Sequence, residues 1–392
     1  MTVVIVGGAL ANKPDNGGEA WVRLSWVLGF RRLGFEVWLV EQIAPEVCVD
    51  VDGNPARFED SANRAYFKRI TEEFGLDDSA TLIYGDLEAT AGAPYETLLD
   101  QAAEAELLVN ISGHITRDEL LRAPHTRVYV DLDPGFTQLW DAAGTAELRL
   151  AEHDHHVTVG TNVGSASCPI PTGGIEWQPT LPPVLLGEWP AQEPPREVRR
   201  FTTVATWRSP YGRVELNGEA QGLKHDEFRK LIELPHRARS LEFEIALDIH
   251  PGDIADLEAL RSHGWRIIDG RATVRDPNSY RDYIQGSAAE FSVAQGVYVS
   301  TRSGWFSDRT ACYLASGRPA LIQDTGLGSE LPLGLGLVTF NDLDEAIQGA
   351  EAIEGDYVAH CRAARRIAEG YLDSDLVLER LLERLTGERA ST

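Results

Sequence analysis

Short apolar runs alternate with amphipathic segments along the first 160 residues. The runs that predict strands are VVIVG at residues 3–7, EVWLVE at residues 36–41, and then TLIYG, AELLVNISG, RVYVDLD and HVTVG. Continuous apolar runs separated by helices are typical of parallel strands that are covered on both faces. The first half of the chain is therefore predicted to form a parallel α/β sheet.

The same alternation restarts with FTTVATW at residues 201–207 and continues with FEIALD, WRIID, FSVA and PALIQD. Helices are predicted between these strands, from about His225, Leu257 and Tyr280, and a last helix is predicted at DSDLVLERLLERL. Two halves that both alternate strands and helices predict two Rossmann-like domains.

A proline-rich stretch separates the two halves. Eight of the chain's 20 prolines lie between Cys168 and Pro195, and proline interrupts both helices and central strands. The predicted division is an N-terminal Rossmann-like domain (1–168), a proline-rich linker (169–200), a C-terminal Rossmann-like domain (201–371) and a C-terminal helix (372–392) that packs back toward the N-terminal domain.

The composition disfavours several classes of partner. Asp and Glu outnumber Lys and Arg by 61 to 36, and a net charge of −25 argues against binding to nucleic acid or to an anionic membrane. Four scattered cysteines without a Cys-x-x-Cys pair indicate reduced thiols. Neither a basic, apolar leader nor a run of 18 apolar residues is found, so a cytoplasmic protein is expected. A monomer or a homodimer is also expected.

In Rossmann-like domains ligands bind beyond the carboxyl ends of the strands, and the loops there are the candidate sites. The loop GGALANKPDNGG after the first strand lacks the Gly-x-Gly-x-x-Gly pattern of dinucleotide folds, although Glu41 ends the second strand as such folds require. Asn16, Gly17 and Gly18 are expected on the acceptor side, where glycine lets backbone approach a ligand. Loop glycines without a ligand are the alternative.

The most patterned stretch is TRSGWFSDRTACYLASGRPALIQDTG, residues 301–326. A strand is predicted to end at Gly304, and Ser307 is predicted to cap a helix that starts at Asp308. Gly317 is predicted to end that helix. Free N–H groups at a helix N-terminus favour phosphate, and Gly304 has no side chain to block its approach. An ordinary capped helix between two strands is the alternative.

This stretch resembles the C-terminal signature of GT-B nucleotide-sugar glycosyltransferases of the bacterial, natural-product type. In the plant-type branch that signature reads Cys-Gly-Trp-Asn-Ser, then a helix, Gly-x-Pro, a strand and an Asp-containing loop. Residues 303–307 (Ser-Gly-Trp-Phe-Ser), residues 317–319 (Gly-Arg-Pro) and Asp324 match its parts in turn. The resemblance implies a GT-B fold with a cleft between the domains, and a nucleoside diphosphate sugar as co-substrate without a further cofactor.

The resemblance also implies how the donor is bound. The sugar hydroxyls are expected at Asp324 and Thr325, and Lys224 matches a lysine that pairs with the donor phosphates. Trp207 and Arg208, at the end of the preceding strand, are further candidate contacts, with a solvated position as the alternative for Arg208 and Lys224. The residues expected around the diphosphate in the patterned stretch are Arg302, Ser303, Gly304, Trp305, Phe306, Ser307 and Arg309.

Three positions depart from the family pattern. The histidine that begins the motif is absent, with Thr301 and Arg302 in its neighbourhood, and Thr325 replaces a glutamine. Cys312 lies where the retaining branch has the second of its paired glutamates. The sequence therefore leaves open whether transfer inverts or retains the configuration of the sugar.

His114 follows the strand AELLVNISG and is a candidate general base, because the pKa of histidine lies near the working pH. Asp131 and Asp133 follow the next strand, and either could take the acceptor proton itself or orient His114. A cap or a turn is the alternative for each, since Asp-Pro-Gly at residues 133–135 is a turn sequence.

The segment EHDHHV places three histidines, His153, His155 and His156, where they do not converge on one face, so no metal site is predicted. We expect a metal-independent glycosyltransferase that acts on a soluble small molecule, in secondary metabolism. Two alternatives stay open, which are a nucleotide-sugar epimerase of the same fold and a non-catalytic helper or binding protein.

Overall fold

The computed structural model describes residues 1–194, 200–209, 211–328 and 330–386. The end of the predicted linker (195–199) and the last residues of the predicted C-terminal segment (387–392) lie outside this range. The described residues form two parallel sheets, each covered by helices. The fold class predicted from the apolar runs, two Rossmann-like sheets, is confirmed.

The first sheet has the strand order β4-β3-β2-β1-β5-β6-β7-β8, and of its described strands only β4 is antiparallel to its neighbour. Its strands are β1 (Val3–Gly7), β2 (Glu36–Ile43), β3 (Ala80–Tyr84), β4 (Ala89–Gly92), β5 (Ala105–Ile111), β6 (Thr126–Asp131), β7 (His155–Thr158) and β8 (Trp177–Pro179). The helices of this half are α1 (Gly17–Arg32), α2 (Ala62–Glu73), α3 (Tyr95–Glu104), α4 (Asp118–Leu121) and α5 (Phe136–Ala143).

The second sheet has the order β13-β12-β9-β14-β15-β16, and its described strands all run parallel. Its strands are β9 (Arg200–Thr206), β12 (Glu242–Asp248), β13 (Arg266–Asp269), β14 (Ala289–Ser292), β15 (Ala320–Gln323) and β16 (Leu337–Phe340), and a hairpin adds β10 (Glu215–Leu216) and β11 (Glu219–Ala220). The helices are α6 (Lys224–Lys230), α7 (Leu234–Arg237), α8 (Ile254–Ser262), α9 (Gly270–Thr273), α10 (Pro277–Gln285), α11 (Gly296–Ser300), α12 (Asp308–Ala315), α13 (Leu343–Gly355), α14 (Tyr357–Ile367) and α15 (Ser374–Thr386).

Each sheet reverses its strand order beside its first strand, between β1 and β5 in one half and between β9 and β14 in the other. At such a switch point the connections leave in opposite directions and open a crevice at the carboxyl ends of the strands. The loops after β1, β5, β9 and β14 therefore provide the positions where a ligand is expected.

One apolar core extends across both halves of the molecule. Trp21 and Trp26 on α1 belong to the same buried cluster as Trp189 from the proline-rich stretch and Tyr280 on α10. The indole N–H of Trp21 also donates to the carbonyl of Pro277 at 2.8 Å. The two halves are thus packed against each other along α1 and α10.

The C-terminal helix α15 lies against α1. Leu378 comes so close to Gly29 that a Cβ atom at position 29 would stand 2.6 Å from it. Arg32 and Asp375 form an ion pair between the two helices at 2.9 Å. The last described helix thus joins the end of the chain to the first half.

Two local predictions differ from the structure. The strand predicted to end at Gly304 is not formed, since the residues before that turn form the helix α11 (296–300). This helix begins at Gly296, which packs on the backbone of Gly222 at a distance that leaves no room for a side chain. The second difference is β8, which lies in the predicted linker; it is an edge strand that ends in Pro179, a position where proline is tolerated.

Candidate functional site

The Ser-Gly-Trp turn of the patterned stretch joins the two domains. Trp305 forms an isolated bridge with Gly160, which follows β7. Asn162 donates its backbone N–H to the carbonyl of Ser303 at 3.0 Å, and its side-chain amide donates to the carbonyl of Arg302 at 2.8 Å. This half of the motif therefore contributes to the domain contact.

Gly304 has a φ of 73°, and the first domain occupies the space beside it. A Cβ atom at this position would clash with the hydroxyl of Thr161 and lie 2.9 Å from the backbone nitrogen of Asn162. The sequence predicts a diphosphate in this space, whereas the structure fills it with protein. Phe306 is likewise buried, in the core shared by the two halves. A phosphate contact at these two positions stays a prediction.

The helix that follows the turn begins and ends as predicted. Ser307 caps α12, since its hydroxyl accepts the backbone N–H of Arg309 at 3.2 Å, and Gly317 follows the helix with a φ of 69°. Arg309 itself is buried and donates to Glu290 and Ser292, each at 2.7 Å. Its predicted contact with a diphosphate would have to compete with these bonds.

Asp308 and Lys224 are charged groups between the domains whose side chains have no partner among the described residues. The backbone N–H of Lys224, the first residue of α6, donates to Gln295 at 2.8 Å, but its ammonium has no bond to any described residue. Burial, together with the charge of Arg309, lowers the pKa of Lys224 to about 8. Burial also raises the pKa of Asp308 to about 6, although Arg309 opposes the shift. Both groups are available to a ligand.

Trp207 and Arg208, predicted as donor contacts, are bound within the second domain. The indole N–H of Trp207 donates to Asp256 at 2.8 Å, and the ring is buried in the core of that domain. Arg208 forms a two-bond pair with Asp253, at 2.6 and 2.8 Å. Their side chains thus have structural partners, and their donor contacts stay predictions.

Asp324 and Thr325 lie beside the Ser-Gly-Trp turn. The hydroxyl of Thr325 donates to the carbonyl of Trp305 at 2.7 Å, and this side chain is buried. One oxygen of Asp324 accepts the N–H of Gly326 at 2.8 Å, and the other lies 3.5 Å from Arg302. Thr325 therefore supports the turn, while Asp324 keeps a long, exposed ion pair that a sugar could replace.

In the first domain, the loop glycines predicted on the acceptor side face protein. A Cβ atom on Gly17 would clash with the carbonyl of Asp276 and lie 2.8 Å from Tyr280, and one on Gly18 would lie 2.9 Å from the Tyr280 ring. Asn16 caps α1 through its side chain. The glycines thus allow α1 to approach α10, and their role toward an acceptor remains a prediction.

Glu41 holds the loop after β1 in place through hydrogen bonds to the backbone of that loop. This buried carboxylate accepts the backbone N–H groups of Ala11 at 2.6 Å and Asn12 at 2.7 Å. Burial raises its pKa to about 7, against the lowering effect of those bonds. The acidic residue at the end of β2, which a dinucleotide fold would use for a ribose, serves here to shape the loop.

That loop and the start of α1 carry three charges that pair with one another. Glu19 binds Lys13 at 2.5 Å and forms a second ion pair with Arg23, one turn along the helix. Burial would raise the pKa of Glu19, but Arg23 and Lys13 outweigh it and hold the pKa at about 2. Arg23 is 4% exposed, and its Nε atom has no hydrogen-bond partner among the described residues.

His114 lies in the turn after β5, beside this charged group. Asn110 shapes the turn by accepting the backbone N–H of Ile115 at 2.8 Å. Burial, followed by the charges of Arg23 and Lys13, lowers the pKa of His114 to about 4. The imidazole is therefore neutral at physiological pH, as a general base must be.

Asp131 does not orient His114, because its carboxylate is bound elsewhere. It accepts bonds from Thr137 at 2.7 Å, and from Gln138 and Thr158 at 2.8 Å each. These bonds satisfy a fully buried carboxylate at the end of β6 and fix the start of α5. The predicted His114–Asp131 pair is not formed in this structure.

Asp133 reaches across to the second domain. Its oxygens accept the hydroxyls of Tyr298 at 2.9 Å and Tyr211 at 3.3 Å, and the Tyr211 ring packs 5.2 Å from Phe136 on α5. Burial and the neighbouring charge of Asp131 raise the pKa of Asp133 to about 6. Asp133 thus forms a contact between the two domains. Among the described residues it has no hydrogen bond to His114.

Several residues of this site were not predicted from the sequence: Lys13, Glu19, Arg23, Tyr211, Tyr298 and Asp308. The Glu19–Arg23 spacing of four residues at a helix start was a usable signal, because such pairs face each other. Asp308 follows the predicted cap directly, so its place at the helix start could have been read from the same motif. The tyrosines carry no local signal, since only the packing of the domains brings them to Asp133.

Within the described ranges, no group of three or more His, Cys, Asp and Glu side chains is placed to hold a metal ion. His153 contacts Asn110 at 3.1 Å, and His156 bonds to the carbonyl of Leu150 at 2.8 Å. These histidines have structural partners. The helices of the described residues also include none that is long and apolar enough to cross a membrane.

Solved structures resemble this chain over nearly its whole length. An alpha-glucosyltransferase in complex with UDP and a DNA 13-mer aligns with a TM-score of 0.60 at 12% identity, over 98% of this chain and 99% of that one. The Anabaena protein HepE, in complex with UDP and glucose, aligns with a TM-score of 0.58 at 12% identity, over 99% and 100%. The chain has the GT-B fold.

A third neighbour is AviGT4, a glycosyltransferase involved in avilamycin A biosynthesis, with a TM-score of 0.56 at 13% identity over 99% of both chains. No protein-family model matches this chain, and no curated protein sequence matches it either. At such identities the GT-B likeness establishes the architecture, while the chemistry has to be argued from the residues.

Proposed function

We propose that this protein is a glycosyltransferase that moves a sugar from a nucleoside diphosphate donor to a soluble small-molecule acceptor. The observation that carries the proposal is the pair of switch points, since unpaired charges follow strands of the second domain there and a neutral histidine follows a strand of the first. Lys224 and the start of α12 belong to the second domain, and His114 belongs to the first.

The face of the second domain that carries Lys224 and the start of α12, called the second wall below, suits the diphosphate. Lys224 carries a cation without a partner in the described part of the protein, and α12 directs free N–H groups into the same region. A departing diphosphate gains negative charge, which fixed cations and helix dipoles stabilise without reorganisation. This arrangement supports transfer without a metal ion.

The face of the first domain that is formed by the loop after β1, the start of α1 and His114, called the first wall below, suits the acceptor. With a pKa of about 4, His114 is unprotonated at neutral pH and can receive a proton from a hydroxyl group. The proposed reaction forms a bond from the acceptor oxygen to the anomeric carbon, breaks the bond from that carbon to the diphosphate, and passes the hydroxyl proton to His114. Asp133 is the second candidate for this proton in our proposal, since its pKa of about 6 also leaves it largely ionised at neutral pH.

The acceptor is inferred from charge. One structural neighbour was solved with DNA, but the net charge of −25 disfavours a polyanion as the partner of this chain. A small molecule of secondary metabolism agrees with the likeness to AviGT4, which is involved in avilamycin A biosynthesis. The proposed location is the cytoplasm, where nucleotide sugars would be available.

The proposal is tested by binding and turnover with UDP-glucose, dTDP-glucose and GDP-mannose. Calorimetry should detect one of them, and liquid chromatography should detect slow release of the nucleoside diphosphate as the sugar passes to water. Inversion at C2 of the sugar would instead indicate the epimerase alternative. Absence of both binding and turnover for all three would refute the proposal and favour a non-catalytic protein.

A further inference from the structure

Asp308 occupies the first position of α12, next to the cap residue Ser307. Its carboxylate is half-buried and accepts no hydrogen bond from another residue in the described part of the chain. In the proposed function the diphosphate lies at this helix start, so an ionised carboxylate would stand directly beside two phosphate groups. Like charges at such short distances repel, and a bound donor therefore requires either a displaced or a protonated Asp308.

Burial favours the protonated form of Asp308 and outweighs the nearby cations, which favour the ionised form. Arg309 on its own helix is committed to Glu290, so it does not neutralise Asp308 fully. From α1, Glu19 and Arg23 act on Asp308 with opposite charges, and from α6 the ammonium of Lys224 is the third charge in reach.

A second observation also indicates a ligand at this place. Arg23 is 4% exposed, yet its Nε–H has no partner in the described residues, which is unusual for a buried donor. Its charge acts both on Asp308 of the second domain and on His114 of the first, so Arg23 lies within electrostatic range of both residues. An anionic group bound between the walls would supply the missing acceptor.

We propose that Asp308 is a catalytic residue that binds the donor in its protonated form and gives its proton to the leaving diphosphate. The inference rests on the proposed function. When the bond between the anomeric carbon and the diphosphate oxygen breaks, the electron pair leaves with the diphosphate. The proton of Asp308 passes to a phosphate oxygen. The acceptor hydroxyl forms the new bond and loses its own proton to His114, which releases it to solvent, and Asp308 is reprotonated from solvent.

The free protein has to take up this proton when it binds the donor. With a pKa near 6 before binding, Asp308 is mostly ionised at pH 7. Binding should then take up nearly one proton per donor, and the affinity should fall as the pH rises. Asp308→Asn resembles the protonated acid, so its affinity should exceed that of the wild type by about tenfold at pH 7 and about 100-fold at pH 8. Asparagine cannot give up a proton, so turnover should fall by about 100-fold.

The experiment is calorimetry at pH 7 in two buffers of different ionisation enthalpy, using whichever of UDP-glucose, dTDP-glucose and GDP-mannose binds the wild type. Nucleotide sugars are used because their diphosphate does not itself titrate near pH 7. Hydrolysis of the nucleotide sugar, followed as release of the nucleoside diphosphate, gives kcat and KM without knowledge of the acceptor. Asp342→Asn, at the exposed cap of α13, is the matched control and should change neither proton uptake nor kcat.

Proton uptake in the wild type that is lost in Asp308→Asn, together with a lower KM and a lower kcat, would support the role. Donor binding without proton uptake, or an Asp308→Asn variant with wild-type kcat, would overturn it while leaving the proposed function intact. An Asp308→Asn variant that binds the donor more weakly than the wild type, by the same factor at pH 7 and pH 8, would also overturn it, because a purely structural role predicts that result. Failure of the wild type to bind any of the three donors would refute the proposed function and this role together.

Discussion

The two walls of the cleft differ in how their charges are satisfied. On the first wall both carboxylates are bound, Glu19 by Lys13 and Arg23 and Glu41 by backbone N–H groups, and only the Nε–H of Arg23 among these groups has no partner in the described residues. On the second wall Lys224 and Asp308 have no partner among the described residues. The sheets behind the walls have the same arrangement of strands around their switch points, so the difference comes from the loops.

This contrast supports the second wall as the donor site of our proposal. A buried charge without a partner is costly, and proteins keep such groups mainly where function requires them. The paired charges of the first wall can fix a geometry around the neutral His114 before any ligand arrives. Unpaired charges such as those of the second wall are expected in a site that binds a charged ligand, here the nucleoside diphosphate sugar of our proposal.

The largest expected effect is on turnover and comes from the first wall. His114→Ala should lower kcat for transfer by about 10²- to 10⁴-fold, the usual contribution of a general base. Donor affinity should change little, because the diphosphate is expected on the opposite wall. With a pKa of about 4 for His114, the acid limb of the wild-type rate profile should lie near pH 4 to 5.

His125→Ala is the matched control, since His125 is an exposed histidine of the same domain, 3.7 Å from Glu106. It should leave both kcat and the pH profile unchanged. Near-normal turnover of His114→Ala would assign the histidine to the turn and move the search for a base to Asp133.

The next effect concerns the place where the walls meet. Gly304→Val should destabilise the protein by about 2–4 kcal/mol, because valine is strained at positive φ and its side chain would clash with the first domain. Urea denaturation measures this loss. Gly144→Val is the control, since Gly144 has a φ of 61° and a Cβ atom there would meet no other described atom within 4 Å. Equal losses in the two variants would show that the contact at Gly304 contributes nothing beyond backbone strain.

The second wall is tested by Lys224→Met. Removing the unpaired ammonium should weaken nucleotide-sugar binding by about 10- to 100-fold, the range for a hydrogen bond to a charged group. Because the pKa of Lys224 is lowered to about 8, its charge is lost as the pH rises through 8, and the loss of affinity caused by Lys224→Met should be smaller at pH 9 than at pH 7. Calorimetry at pH 7 and pH 9 measures both effects.

Lys230→Met provides the comparison on the same helix, since Lys230 is already paired with Glu227 at 2.7 Å. Its donor affinity should equal that of the wild type. A Lys224→Met variant with unchanged affinity would contradict the assignment of the diphosphate to this wall.

The fold was predictable because its signals are local. Apolar runs such as VVIVG and FTTVATW identify buried parallel strands without knowledge of their neighbours, and Ser307 and Gly317 mark the ends of α12 by their chemistry alone. The same local reasoning failed at α11. There a strand was predicted to run to Gly304, but residues 296–300 form a helix whose Gly296 packs against the backbone of Gly222 in another part of the domain.

The site was less predictable because its geometry depends on how the domains meet. The sequence identifies Gly304 as a special position but cannot tell whether a phosphate or Thr161 lies beside it. It places Asp131 and Asp133 two residues apart, yet Asp131 turns inward to Thr137 while Asp133 reaches Tyr298 in the other domain. Such differences arise from long-range packing, and no spacing along the chain encodes them.

The smallest expected effect concerns the bond that joins the walls through Asp133. Tyr298→Phe removes the hydroxyl that donates to Asp133 at 2.9 Å and should cost about 1–2 kcal/mol of stability at pH 8. Tyr211→Phe, which removes the longer bond of 3.3 Å, should cost less. Urea denaturation at pH 8 ranks the two variants, and a larger loss for Tyr211→Phe would contradict the geometry.

The same bond should depend on pH in a defined direction. Burial raises the pKa of Asp133 to about 6, from about 4 in an unfolded chain, so the folded protein binds more protons between these values and loses stability as the pH rises through that window. Above pH 6 Asp133 is ionised and accepts the tyrosine hydroxyl as a charged partner, which strengthens the bond. The difference in unfolding free energy between the wild type and Tyr298→Phe should therefore be small at pH 5 and reach its full size at pH 8. An equal difference at both pH values would mean that the hydroxyl stabilises the domain contact independently of the charge on Asp133.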